Sequence, residues 1–329
     1  MSFSPVYVVG GRQREDRSLT DLGDRWYGYD TGVVLRVSPD GVETVAEYTS
    51  RPGTCAEGDP VLFKSASRVG DRLYCCTQTE IVVYQLPGFE VVHHVSLPRF
   101  NDVHHVVPLD AESILVANSG METVVHVGLD GEVIDEWNVL GEDTWSTHDP
   151  SVDYRLGVDL KPHRAHPNHL CRFGDDVWVD RFELKDMAVV GDPDRRIEIG
   201  GERIHDGVVV GDEIMLTSVD AKVLRVDPGA LQVTGRTQLT GHHDILGWCR
   251  GLMLDDDEAW VGFSRIRPTK LRQTVSWVRT LGSSQAPTRI AHYRISDWTL
   301  IDEIDLEPHG LNAVFSVLPA GAELPFSRR

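Results

Sequence analysis

The chain has 329 residues, 41% of them hydrophobic, with five cysteines and a formal net charge of −19. A chain this long buries a large core unaided, and no apolar run reaches the roughly 18 residues that span a bilayer, so disordered, fibrous and membrane-helical classes are excluded. So negative a surface repels nucleic acid and anionic membranes.

The opening MSFSPVYVVGGRQRED has neither the charged region nor the apolar region of a secretory signal, and this leads to the expectation of a soluble, cytoplasmic protein. Cys55, Cys75, Cys76, Cys171 and Cys249 are scattered and never spaced C-x-x-C, which supports neither a disulfide framework nor a cysteine zinc site.

Short alternating strands separated by tight turns recur along the chain. VYVVGG, GVVLRVS and ETVAEYT form a first group of three, with a long connection at residues 11–31. PVLFKSASRVG opens a second group, completed by DRLYCCTQT, EIVVYQLPG and EVVHHVSL. HHVVPLD opens a third, completed by ESILVANSG, TVVHVGLDG and EVIDEWNV. After a second long connection at 140–162, NHLCRFG leads DVWVDRFE, DMAVVGDP and RRIEIGG. DGVVVG then leads EIMLTSVD, AKVLRVDP and LQVTGRTQL. GLMLDD leads EAWVGFSR and, across a third long connection at 264–289, RIAHYRIS and LIDEIDL. The turns SPDG, LPGF, LDGE, DPDR, DPGA and SDWT fall between the last two strands of each group, so there are six repeats. HGLNAVFSVLP near the C-terminus supplies the strand that the first group lacks. The pattern predicts an all-β, six-bladed β-propeller, one domain over residues 1–329, with a one-plus-three closure.

By the topology of such blades, all three long connections project from the face where the innermost strands begin, and they are expected to roof one mouth of the channel. In the third, Pro268 followed by TKLRQTVSWVRTL predicts a short helix with Leu271, Val275 and Val278 on its buried side. That segment carries Arg265, Arg267, Lys270, Arg272, Arg279 and Arg289 and no acid. Trp26, Tyr27, Tyr29, Trp145 and Trp277 are candidates for an aromatic wall.

Aligning the innermost strands on their Gly-Asp turns brings Lys64 or Ser65, His104 and His105, Asn168 and His169, His205 and Asp206, Arg250, and His309 to the mouth. Imidazole can ligate a metal, act as a base or act as a nucleophile. The run His163, His166, His169 has metal-like spacing. A permanent guanidinium at Arg250, with Lys64, beside a divalent cation is electrostatically costly, so the ring suits an anion and neither metal nor other cofactor is expected. A small anionic, aromatic molecule is the expected partner, with Lys64, His104, Asn168, Arg265, Arg267 and Lys270 as binding residues. A non-catalytic ligand- or protein-binding platform and a His-ligated metalloenzyme are the alternatives.

NDVHHV (residues 101–106), the ILVAN strand that follows and the His/His/Arg/His ring resemble the bacterial arylsulfate sulfotransferases, six-bladed propellers in which a channel histidine is sulfated. The resemblance implies histidine-mediated group transfer or hydrolysis, with His309 or His205 as nucleophile and His105, His169 and Arg250 holding the sulfuryl oxygens. CRGLMLDDDEAWVGFSR and HGLNAVFSV also resemble bacterial propeller proteins without an assigned activity. No P-loop, nucleophile elbow or zinc-protease motif is present, which argues against nucleotide-dependent chemistry.

Overall fold

Strand period and turn spacing resolve into the expected architecture. A computed structural model describes residues 3–14, 28–243, 245–266 and 286–321. It contains six four-stranded antiparallel sheets, and the helices among the described residues are single 3₁₀ turns. The first blade joins Ala313–Pro319 to Val6–Gln13, Tyr29–Ser38 and Gly41–Tyr48, in that order, which is the one-plus-three closure. The innermost strands of blades 2 to 6 are Ser65–Val69, Val103–Pro108, Pro167–Phe173, Ile204–Val210 and Trp248–Asp255. Each packs beside the innermost strand of the next blade, and the last packs beside Ala313–Pro319, so the ring is closed. No helix among the described residues is long and apolar enough to cross a membrane.

The hydrophobic core is six wedges between neighbouring blades. Tyr74 and Val83 of blade 2 meet Val106 and Val116 of blade 3 in one wedge, and Val33 and Leu35 of blade 1 meet Trp260 and Ile290 of blade 6 in another. Inner and middle strands are covered on both faces, which is why runs such as Ile81–Gln85 (IVVYQ) are almost continuously apolar. Outer strands face water on one side, and Gln232–Gln238 alternates between exposed and half-buried residues.

Bulges near the start of the innermost strands decide what reaches the channel. Val103 pairs with Asn118 and His105 with Ala117, which leaves His104 over. Ile204 pairs with Ser218 and Asp206 with Thr217, leaving His205. In the closing strand Val9 faces Ser316 and Gly10 faces Val314, leaving Phe315. Pro167 pairs with Arg181 and Leu170 with Val179, so Asn168 and His169 share one opposing position. In blade 6 the extra residue is Gly251, at φ +79°. An extra residue re-aims the side chains around it and shifts the alternation of the strand by one.

Candidate functional site

A cavity of about 980 Å³ opens at the mouth where these strands begin. Each blade contributes at least one innermost-strand or strand-start residue to its wall: Phe315, Lys64, His104, Asn168, His205, and Trp248 with Arg250. The blade 3 to blade 4 connection adds Lys161, His163 and His166; connections within blade 4 and between blades 4 and 5 add Lys185 and Arg203, and Lys222 opens a strand of blade 5.

Asp102 lies at the centre of the charged part of the wall. Its carboxylate accepts a short hydrogen bond from Lys64 Nζ and lies 3.5 Å from Lys161 Nζ and 3.8 Å from His163 Nδ1. Burial alone would push this carboxyl up, but Lys64, His104, Lys161 and His166 together hold it well below the usual carboxylate range. Lys64 is itself buried, and burial lowers its ammonium despite the attraction of Asp102.

His104 is oriented through one nitrogen. Nδ1 donates to the Asp102 carbonyl oxygen at 2.7 Å and lies 2.9 Å from Ser119 Oγ, whose hydroxyl donates to the Pro167 carbonyl. That places the proton on Nδ1 and the lone pair on Nε2. Burial, and then Lys64, keep this imidazole neutral well below the ordinary histidine range. Burial, and then Arg250, do the same at His205. Nε2 of His205 and Oδ1 of Asn168 are buried without a hydrogen-bond partner among the described residues. Buried polar atoms left this way in the wall of a cavity mark a place where a ligand or water completes the bonding. The Arg250 guanidinium stands 4.3 Å from the Phe315 ring centre and 5.6 Å from that of Trp248.

Among the described residues of this wall, six cations (Lys64, Lys161, Lys185, Arg203, Lys222, Arg250) face four carboxylates (Asp102, Glu183, Glu202, Asp220), a surplus of two positive charges within a chain of net −19. Arg203 pairs with Glu183 at 2.9 Å, and Lys222 with Asp220 at 2.7 Å. Four of the five lysines of the whole sequence line the cavity, and the fifth, Lys270, lies outside the described residues.

Of the residues singled out in the sequence, Lys64, His104, Asn168, His205 and Arg250 come together here. His105 and His169 do not: they turn between blades 3 and 4, their rings 4.1 Å apart, and His105 Nδ1 accepts the Leu170 N–H. The expectation that they point to the axis is corrected by the bulges, which give the axial direction to the preceding residue of each pair. His309 is also corrected, since it is exposed on a 3₁₀ turn ahead of the closing strand, and Phe315 takes the place foreseen for it. Arg265 pairs with Glu307 at 3.2 Å and does not line the cavity. Trp145 packs under Arg99, and Tyr29 is buried in a middle strand. Arg267, Lys270, the helix foreseen after Pro268, Trp26, Tyr27 and Trp277 lie outside the described residues. Phe315, Asp102 and Lys161 were not singled out. For Lys161 a signal existed in the scarcity of lysine, whereas Phe315 sits within an ordinary apolar run.

No protein-family model and no curated protein sequence matches the chain. Among solved structures, a protein of unknown function from Bacteroides caccae is similar over 96% of this chain and 98% of its own, with a TM-score of 0.62 and 10% identity. Apo AztD from Citrobacter koseri aligns over 98% of this chain and 99% of its own (TM-score 0.49, 10% identity). BamB from Moraxella catarrhalis aligns over 87% and 75% respectively (TM-score 0.40, 9% identity). At such identities the likeness to the Bacteroides protein is one of fold alone, and none of these matches is specific to the arylsulfate sulfotransferases.

Proposed function

We propose that the cavity binds a small anionic molecule with an aromatic portion and that a neutral imidazole of its wall carries out group transfer or hydrolysis on it. The observation that carries this reading is the gathering of four of five lysines, with Arg203 and Arg250, around one cavity of a strongly acidic protein. At physiological salt the global field is screened beyond about 8 Å, so these local donors decide whether an anion is held. Arg250 offers a fork of donors for two oxygens of a sulfate, phosphate or carboxylate, and Phe315 and Trp248 offer ring faces. His104 is the best placed nucleophile or base, because its Nδ1 proton is anchored and its Nε2 lone pair is not engaged by any described residue.

In this reading His104 Nε2 bonds to the transferred sulfur or phosphorus as the bond from that atom to the phenolic oxygen breaks. The departing phenolate takes a proton from solvent, and a second hydroxyl or water then receives the group and frees the imidazole. Calorimetric titration with an arylsulfate, an aryl phosphate and inorganic sulfate tests the binding. Arg250→Ala should lose about 1.5–3 kcal/mol, roughly 10- to 150-fold in Kd, and Arg250→Lys should recover only part of it. Absence of binding by the wild type, or equal binding by Arg250→Ala, would overturn the anion reading. Binding without turnover would leave a ligand-binding propeller.

A further inference from the structure

We infer that Asp102, His163 and His166 form a site for one divalent first-row transition-metal ion, such as zinc or iron(II), on the same cavity wall. One nitrogen or oxygen of each lies within 4.8 Å of the others. The Nδ1 atoms of His163 and His166 are in direct contact, their rings stacked 4.7 Å apart. Two imidazole lone pairs repel at that separation unless a proton or a cation lies between them. The third donor, Asp102 Oδ2, is buried and accepts no hydrogen bond among the described residues, while Lys64 occupies the other carboxylate oxygen. Two imidazoles and one carboxylate suit zinc, iron, cobalt or nickel, and do not suit calcium or magnesium, which take all-oxygen sets.

The backbone around the two histidines is built to hold them. His166 has a left-handed φ of +57°, uncommon for a residue with a side chain, and it turns the ring back over His163. A single buried carboxylate, Glu122, accepts the backbone N–H groups of Arg164, Ala165 and His166. From the other side the carbonyls of Ala165 and His166 accept N–H groups of Glu183 and Phe182 at 2.9 and 3.2 Å. Three residues of a surface connection are thereby fixed at both edges, the support that a preorganised ligand set requires. His104 packs its ring 4.5 Å from that of His166, and the cavity side of the cluster stays open for a water or a ligand oxygen. Of the cations near the site, Lys64 is held on the other Asp102 oxygen, and the one beside Oδ2 is Lys161, whose ammonium is 3.5 Å away but whose side chain is half exposed and able to swing away.

The site stands whether or not the cavity takes an anion, and its test needs none. Dialysed protein is titrated with Zn²⁺ by calorimetry and with Co²⁺ by visible absorption, with a chelator-washed sample as reference. One equivalent should bind to the wild type with d–d bands of a nitrogen/oxygen-coordinated Co²⁺ ion. His163→Ala and His166→Ala should each weaken it by at least tenfold, with folding checked by circular dichroism, and His309→Ala should leave it unchanged. Lys161→Ala should tighten it severalfold by removing the competing ammonium. Absence of a stoichiometric event, binding unchanged in both His163→Ala and His166→Ala, or binding weakened by Lys161→Ala would each overturn the inference. Anion titrations in the presence of chelator report separately on the proposed function.

Discussion

Asp206 and His169 show how one buried pair sets opposing pH dependences. Burial pushes the Asp206 carboxyl up to about 7, against the backbone N–H groups of Gly207, Leu252 and Gly251. Burial pushes His169, 3.2 Å away, down to about 4. Between these values the proton rests on the carboxyl and the imidazole is neutral. An unfolded Asp titrates near 4. As pH rises from about 4 to 7 the unfolded chain therefore releases a proton that the fold retains, and this group costs the fold stability over that window. His169 acts with the opposite sign: below about 6.5 the unfolded chain takes up a proton that the fold refuses, so its contribution is lost as pH falls toward 4. Asp206→Asn keeps an acceptor for the Gly207 N–H and removes the first effect. Its stability relative to wild type should rise by up to ~4 kcal/mol between pH 4 and pH 8, measured by denaturant melts, then level off. An equal difference at both pH values would mean that Asp206 ionises like a surface carboxylate.

At the scale of elements, the closing strand carries both the fold and part of the site. Ala313–Pro319 completes blade 1, delivers Phe315 to the cavity, and contributes Val314 and Val317 to the wedge between blades 1 and 6. Its approach to Val6–Gln13 depends on a glycine: a Cβ at Gly10 would fall 1.8 Å from the Ala313 carbonyl oxygen, a backbone atom that can move only if the strand moves. Gly10→Ala should therefore destabilise the protein by about 3 kcal/mol or more. Ending the chain before Ala313 should go further and remove most of a stability of roughly 5–15 kcal/mol, because the Val6–Gln13 edge loses its only inner neighbour and the wedge filled by Val314 and Val317 is opened. Thermal melts and limited proteolysis measure both, and a soluble truncated protein with an unchanged melting temperature would refute the closure.

Over the whole molecule, six imidazoles are crowded into or beside one end of the channel: His104, His105, His163, His166, His169 and His205. Burial lowers every one of them, His163 and His169 to about 4 and the rest well below the ordinary value. A lowered histidine leaves stability intact above about 6.5 and removes it as pH falls, by about 1.4 kcal/mol per pH unit for each group. Six together reach up to ~8 kcal/mol per unit, of which Asp206 and Asp180, carboxyls that burial also pushes up, each offset as much as one share. Acidification also relieves the self-repulsion of a −19 chain, but most carboxylates titrate below pH 5, so the histidines dominate above it. The protein should therefore unfold cooperatively between about pH 6 and 5 in chelator-containing buffer, followed by near-ultraviolet circular dichroism. Full stability retained at pH 5 would show that these rings accept protons within the fold.

Blade number, strand order and the one-plus-three seam were legible in the sequence because each rests on local properties: a two-residue strand period, turn residues at a constant place in each repeat, and a lone strand at one end matching a group of three at the other. The same alignment brought Lys64, His104, Asn168, His205 and Arg250 to the channel to within one residue. It could not separate His104 from His105 or Asn168 from His169, because a bulge shifts the phase of a strand by one residue and no local pattern announces it. His309 and Phe315 were interchanged for a related reason, since the chain makes a 3₁₀ turn before the closing strand begins. The scarcity of lysine was visible as a count, but a count carries no position. Only the ring closure gathers Lys64, Lys161, Lys185 and Lys222 from four different segments onto one wall, and only the Glu122 clamp from blade 3 turns His166 back over His163 toward Asp102.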